Sequence, residues 1–256
     1  MKPREYQVDF YLSSPAVKDQ ASRRAKARKI LYALQHYSDI QLSASTCLDI
    51  GCSSGLITAF LAPYFKRIVG LEYDRFALQA IPKHIPPSLT FVRGDAMTLP
   101  CRDNSIDVII CAQVYEHVPD DQILFEEIYR VLRPGGVVFF SGPNWLFPIE
   151  PHYFLPFLHW LPQPMADLYL RLMHRGDHYY EKSRPLWSLR YLLRRFKITD
   201  LSIEVLEQSL HARRTLYAKL LLAIPKVIWK LLLPLLPNYN WVLQKPKVHE
   251  EKAFSS

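Results

Sequence analysis

One stretch of the chain combines residue types and spacing that could hold a charged, nucleoside-like ligand. In CLDIGCSSGLITAFLA at 47–62, an apolar run ends at Asp49-Ile50, a turn of small residues follows, and a helical pattern begins. The turn is Gly51-Cys52-Ser53-Ser54-Gly55. Small residues let a backbone approach a ligand closely, and a helix start offers free N–H groups. Acidic and amide residues recur downstream. Glu72 lies 21 residues after Gly51 at the end of the next apolar run, where a carboxylate can accept both hydroxyls of a ribose. Asp95 follows the third run, placed to accept from an adenine amino group, and Gln113 lies just past the fourth. The dinucleotide pattern G-x-G-x-x-G is absent. The turn also fits G-x-S-x-G, the nucleophile elbow of α/β-hydrolases, with Ser53 as nucleophile. That elbow normally follows several strands, whereas this turn follows the first, and the reading leaves Glu72 and Asp95 without a role.

These residues need elements that bring them to one edge. Strand-like runs at 46–50, 67–72, 88–93, 105–112 and 136–142 alternate with helical patterns at 54–65, 75–82 and 120–132. Buried strands alternating with helices imply an α/β fold with a parallel sheet covered on both faces. A basic helix is expected at 17–38, with Arg23, Arg24, Lys26, Arg28 and Lys29 facing water. Residues 196–206 alternate as a strand would, and 239–245 read as a last strand. Cys47, Cys52, Cys101 and Cys111 form no C-x-x-C pair and read as buried thiols, Cys52 and Cys111 as packing residues, which suits a reducing compartment. No metal site is expected.

LDIGCSSG, VGLEYD at 69–74, GDAMTLP at 94–100, SIDVIICAQVYEHV at 105–118 and EEIYRVLRPGGVVFFSGPN at 126–144 resemble, in content and order, the class I S-adenosylmethionine-dependent methyltransferases of the small-molecule (type 11-like) subgroup. The resemblance covers about 100 residues and is specific for fold and cofactor, not for substrate. It implies a doubly wound, mostly parallel seven-stranded sheet of Rossmann-like methyltransferase type. It implies that Asp49 and the Gly51, Cys52, Ser53 and Gly55 turn face the methionine part of S-adenosylmethionine. Glu72 would hold the ribose, Tyr73 would flank the adenine, Asp95 and Ala96 would read its edge, and the Gln113 backbone would lie by the methionine amino group. Ser53 stands where the family usually has a second glycine.

A sulfonium methyl needs mainly an aligned acceptor, and an oxygen acceptor must also lose a proton. Candidate groups lie where the fourth and fifth strands end: Glu116 and His117, then Glu150 and His152. His152, in Pro-Ile-Glu-Pro-His-Tyr, is favoured as base or substrate contact, against a hydrogen-bonded loop histidine. Glu150 and His117 follow, and His159 and His178 are weaker.

The expected organisation is an N-terminal helical cap at 1–45, a cofactor-binding core at 46–145, an aromatic-rich helical lid at 146–195, and final strands at 196–256 with an apolar helical insertion at about 211–237. The lid composition suits a bulky apolar acceptor. At 218–237, Lys219, Lys226 and Lys230 fall on one side of an otherwise apolar helical wheel. This reads as an interfacial helix on an anionic membrane, as a buried hairpin with snorkelling lysines, or as a partner-protein surface. Pro225 and Pro234 break the stretch, and no uncharged apolar run is long enough to span a bilayer. The net charge of +8 is uneven: residues 146–256 carry 16 basic and 9 acidic side chains, against 16 and 15 before them. Anionic lipid, a phosphorylated substrate and nucleic acid are the partner classes this admits. The expected function is methyl transfer to a small, lipophilic or lipid-linked acceptor at a membrane surface, the alternative a nucleic-acid methyltransferase. The N-terminus shows no signal-peptide core, so a cytoplasmic protein, peripheral on the inner membrane face, is expected.

Overall fold

The computed structural model describes residues 10–13, 18–82, 84–213, 215, 222–223 and 225–247. A short helix α1 (Phe10–Ser13) precedes α2 (Gln20–His36). The core then alternates β1 (Thr46–Ile50), α3 (Leu56–Leu61), β2 (Arg67–Glu72), α4 (Arg75–Gln79), β3 (Leu89–Arg93), β4 (Ile106–Ala112), α5 (Asp121–Val131) and β5 (Leu132–Pro143). An excursion follows: β6 (Ile149–Glu150), β7 (Leu155–Pro156) and α6 (Gln163–Leu172). The chain ends in α7 (Leu186–Leu192), β8 (Lys197–Asp200), α8 (Ser202–Arg213), α9 (Lys226–Leu232) and β9 (Asn238–Gln244).

The main sheet has seven strands in the order β3-β2-β1-β4-β5-β9-β8. β1 to β5 pair in parallel, and β9 runs antiparallel to both β5 and β8. The strands are apolar on both faces because both faces are covered. In β4, Val108 and Ile110 face one core with Ala27 and Ile30 of α2, while Ile109 and Cys111 face the other with Phe125 and Ile128 of α5. Asp120 starts α5 by accepting from the N–H groups of Gln122 and Ile123. Fully burying a side chain such as Phe125 or Ile128 contributes about 1.5–3 kcal/mol, so α5 is held mainly by its apolar face.

Three expectations are corrected. The alternation at 196–206 is a strand only over Lys197–Asp200. Asp200 then accepts from the Ser202 N–H at 3.0 Å and the chain turns into α8. β5 starts at Leu132 rather than 136, because the Arg133-Pro134-Gly135-Gly136 segment stays in the sheet across a register shift opposite Ile106–Val108. The cations of α2 do not all face water. Arg24 and Arg28 are exposed, but Arg23, Lys26 and Lys29 are half-buried, with Lys29 Nζ on Asn240 Oδ1 at 3.1 Å. They lie on the flank of the stripe that buries Ala27, Ile30 and Leu34.

Candidate active site

Polar groups gather at the C-terminal ends of β1, β2, β4 and β5. Leu48 and Ile50 of β1 join the α5-side core, so Asp49 between them points to the α2–α3 side. There its Oδ2 accepts from the Thr58 hydroxyl at 2.6 Å. Burial pushes the Asp49 carboxyl up and the Thr58 bond pulls it down; Glu72 adds to the rise, Arg23 opposes it, and the result is about 7.

The turn after β1 runs through three residues of left-handed backbone, Gly51, Ser53 and Gly55, with φ of 68°, 52° and 73°. The Gly51 and Cys52 N–H groups donate to the Leu71 carbonyl at 2.8 and 3.2 Å. A Cβ on Gly51 would lie 2.7 Å from Val114 Cγ2, and the left-handed backbone there disfavours a side chain independently. A Cβ on Gly55 would meet the Phe91 ring.

Glu72 ties this turn to β2. Its Oε1 accepts from the N–H groups of Tyr73 and Asp74 at 2.7 and 2.9 Å, and its Oε2 from Ser53 N–H at 2.7 Å. A carboxylate has about four acceptor sites, so Oε2 retains capacity for a ribose hydroxyl. Burial raises the Glu72 pKa, and the three backbone bonds work against that rise. Asp95 Oδ1 accepts from Met97 N–H at 2.8 Å, shaping the turn that buries Ala96. Gln113 has φ of 60°, its N–H donates to the Ser141 carbonyl at 2.7 Å, and its side-chain amide reaches Asn238 Oδ1 at 3.3 Å. A non-glycine residue held in left-handed backbone at a strand end is the kind of strain that clusters at functional sites. The residues that would hold S-adenosylmethionine are Asp49, the turn and Glu72, and the spare acceptor capacity of Glu72 Oε2 suits a ribose hydroxyl.

A second group lies just beyond. Val114, which packs on Gly51, is followed by Tyr115, whose hydroxyl donates to the Pro143 carbonyl at 2.5 Å, and then by Glu116 and His117. The β6–β7 hairpin brings in Glu150 and His152. Glu150 Oε2 accepts from the N–H groups of His152 and Tyr153, each at 2.8 Å, and its Oε1 faces His152 Nδ1 at 2.7 Å. The rings of His117 and His152 meet edge to face with centroids 4.9 Å apart. Glu116 Oε1 lies 3.8 Å from His117 Nε2 and 3.9 Å from His152 Nε2. Glu116 is fully buried, and neither of its carboxylate oxygens has a hydrogen-bond partner. Burial raises its pKa to about 7, against the pull of His152. Burial and the nearby His152 hold His117 down at about 3. For His152, burial lowers the pKa, but the Glu150 bond and the charges of Glu150, Glu181 and Glu116 outweigh it and raise it to about 9.

The structure thus unites His117, Glu150 and His152 with Glu116, and places the turn, Asp49 and Glu72 on the neighbouring strands. His159 and His178 lie apart, on the Trp145 carbonyl and on Asp167, each at 2.7 Å. Two residues had no sequence signal. Glu181 approaches His117 Nδ1 at 3.9 Å because Lys182 N–H pairs with the Glu116 carbonyl at 2.9 Å. Arg23 faces Asp49 from a helix expected to present it to water. Of the lysine stripe, Lys230 is exposed, while Lys219 and the Lys226 side chain lie outside the described residues. The Ser53 elbow backbone is present, but the histidines of this site are turned to Glu116 and Glu150.

Residues 48–140 match the family model described as a methyltransferase domain. An uncharacterized methyltransferase of Mycobacteroides abscessus is 35% identical over 122 residues, covering 46% of this chain and 47% of the relative. A "probable S-adenosylmethionine-dependent methyltransferase" of Mycolicibacterium smegmatis is 36% identical over 97 residues, 38% of this chain and 37% of the relative. The matches therefore span less than half the length of these relatives. Among solved structures, an S-adenosylmethionine-dependent methyltransferase from Mesorhizobium loti superposes with a TM-score of 0.59 at 17% identity, over 86% of this chain and 97% of that one. It shares the fold. The matched residues, 48–140, run from β1 into β5 and carry Asp49, Glu72 and Glu116, so the resemblance to a methyltransferase domain falls on the same strands as the polar groups of this site.

Proposed function

We propose that the whole chain transfers the methyl group of S-adenosylmethionine to a small, lipophilic or lipid-linked acceptor taken from an anionic membrane surface. The cofactor supplies the activated methyl; the chain binds, orients and excludes water. Asp49, the turn and Glu72 hold the cofactor end. The Glu116–His117–His152 face forms the acceptor end, with Glu150 fixing the His152 ring.

The observation that carries the acceptor class is the exposed apolar surface of the C-terminal half. On α6, Met165, Leu168 and Leu172 face solvent, and Phe154 before it is 73% exposed. On α9, Val227 and Leu231 are 70% and 75% exposed, while Trp229 turns inward onto Ile203 and Leu236. Exposed cations stand beside these rows: Arg171 and Arg175 near the first, Lys230 on the second. Large apolar side chains beside cations suit contact with acyl chains under anionic headgroups. No described helix is long and apolar enough to cross a membrane.

The test uses cofactor carrying a labelled methyl, incubated with the full chain and a fractionated cell extract. Label entering the lipid fraction is the expected result. Label confined to nucleic acid or to small polar molecules removes the acceptor assignment.

A further inference from the structure

The Glu116 carboxylate has no partner suited to its burial. It is wholly enclosed, neither oxygen accepts a hydrogen bond, and two imidazole nitrogens face one of them at 3.8 and 3.9 Å. Burying a charge without a bond is costly, and such groups in folded proteins are paired or hold a metal. The ring orientations favour the second. A carboxylate only accepts, so the 2.7 Å contact of His152 Nδ1 with Glu150 Oε1 places a proton on Nδ1. Nε2, 3.9 Å from Glu116 Oε1, is then the ring nitrogen left to take a metal once its proton is displaced. A histidine whose far nitrogen donates to a carboxylate while its near nitrogen faces a ligand position is the usual arrangement at metal centres. Glu181 lies 3.9 Å from His117 Nδ1, beyond hydrogen-bond length but near enough to close on it.

We propose that Glu116, His117 and His152 form a binding site for a divalent first-row transition metal, with Glu150 and Glu181 as positioning carboxylates. One ligand atom from each of the three lies within 4.8 Å of the others. Two nitrogens on one ion at about 2.0–2.1 Å each stand about 3.3 Å apart when tetrahedral, so closing even a 4.8 Å separation takes about 1.5 Å, shared between two side chains. Two imidazoles and one carboxylate suit zinc, manganese, iron or cobalt and leave coordination positions open. The ion would balance the negative charge of the enclosed carboxylates. An oxygen of the acceptor would take an open position. That last role rests on the proposed function; metal binding does not.

The roles are also separable. A His152 Nε2 bound to metal is not available as a proton acceptor, so metal content decides between ligation and the base role expected from the sequence.

The experiment titrates tag-free, chelator-stripped full chain with Zn²⁺, Mn²⁺ and Co²⁺. Metal is quantified after desalting, and Co²⁺ is also followed by its visible absorption. One equivalent per chain is expected. Glu116→Gln and His152→Ala should each weaken binding by about 100-fold or more, and Glu150→Gln by about 10–100-fold, the range for partners behind a ligand. His178→Ala, at a histidine outside the cluster, should change nothing. Far-UV circular dichroism checks that the variants fold. Failure of the unmutated chain to retain any of the three ions overturns the proposal whatever the variants do. So does binding that is equal in the parent and in folded Glu116→Gln and His152→Ala. Retention of metal with no label entering lipid would leave this site standing and remove only the acceptor assignment.

Discussion

His152 and Glu150 are two residues apart, yet they face each other through a side-chain contact of 2.7 Å while the His152 backbone N–H donates to the same carboxylate at 2.8 Å. Pro151 between them and the two-residue strand of β6 make this possible, because Glu150 is anchored in the hairpin and the chain turns back over it. The imidazole is therefore held in position, with Nδ1 on Glu150, before any ligand arrives.

Replacing His152 by alanine should lower turnover by about 10²–10⁴ while leaving cofactor affinity nearly unchanged, since the ring acts on the acceptor side. Single-turnover rates and cofactor titration of the same preparation measure the two effects. Equal loss in both would assign His152 to cofactor binding.

Glu72→Ala should weaken S-adenosylmethionine binding by about 1.5–3 kcal/mol, the scale of bonds to a charged group. Calorimetry gives the value. The substitution also frees the Ser53 N–H. Ser53→Ala keeps that N–H and should retain most activity, whereas an α/β-hydrolase with Ser53 as nucleophile would lose it.

Asp49 sets a pH dependence of stability in the cofactor-free protein. Its folded pKa, raised by burial to about 7, exceeds the unfolded value near 3.9. The stabilisation is complete below about pH 4, declines as the pH rises, and is gone above about 7, a difference of up to about 4 kcal/mol. Asp49→Asn should therefore raise the melting temperature at pH 8 more than at pH 5. Thermal melts at both values check it, and a flat difference would show that Asp49 ionises without cost.

The full chain should co-sediment with anionic vesicles, bind neutral ones less well, and be partly released by high salt. Each lysine near such a surface contributes about 1 kcal/mol. Replacing Lys219, Lys226 and Lys230 by glutamate should reduce sedimentation without lowering the melting temperature. Val227→Ser with Leu231→Ser should do the same, because both side chains are largely exposed. A parent that stays in the supernatant rules out the membrane surface as the acceptor's source.

The sequence carried the sheet because its strands are apolar on both faces and its helices keep their caps, such as Asp19 on α2 and Asp120 on α5. It also carried the polar strand ends at Asp49 and Glu72 and the turn between β1 and α3, since a strand end and the turn after it are local in sequence. Contacts between distant segments were not legible. Glu181 reaches the cluster through backbone pairing of Lys182 with residue 116, which no spacing rule encodes. Arg23, Lys26 and Lys29 are half-buried because they flank the apolar stripe of α2, a placement that charge alone does not reveal. The strand expected to reach 206 stopped at Asp200, where a side-chain cap overrode the alternation.

The excursion between β5 and α7 leaves and re-enters the core at one point. Asn144 and Arg184 form a backbone bridge, Trp145 N–H donates to the Arg184 carbonyl at 3.3 Å, and Tyr239 bonds to both residues. Arg184 is further moored to Asp121 at the start of α5. A loop closed at its neck imposes no length on the framework that carries it, and its closure entropy grows only slowly with size. The 39 residues between are therefore tied to the sheet at a neck whose geometry does not depend on their number. Glu150, His152 and Glu181 ride on that segment and Glu116 and His117 on the framework, so under the proposed function a change within the segment would alter the acceptor side and leave Asp49 and Glu72 in place.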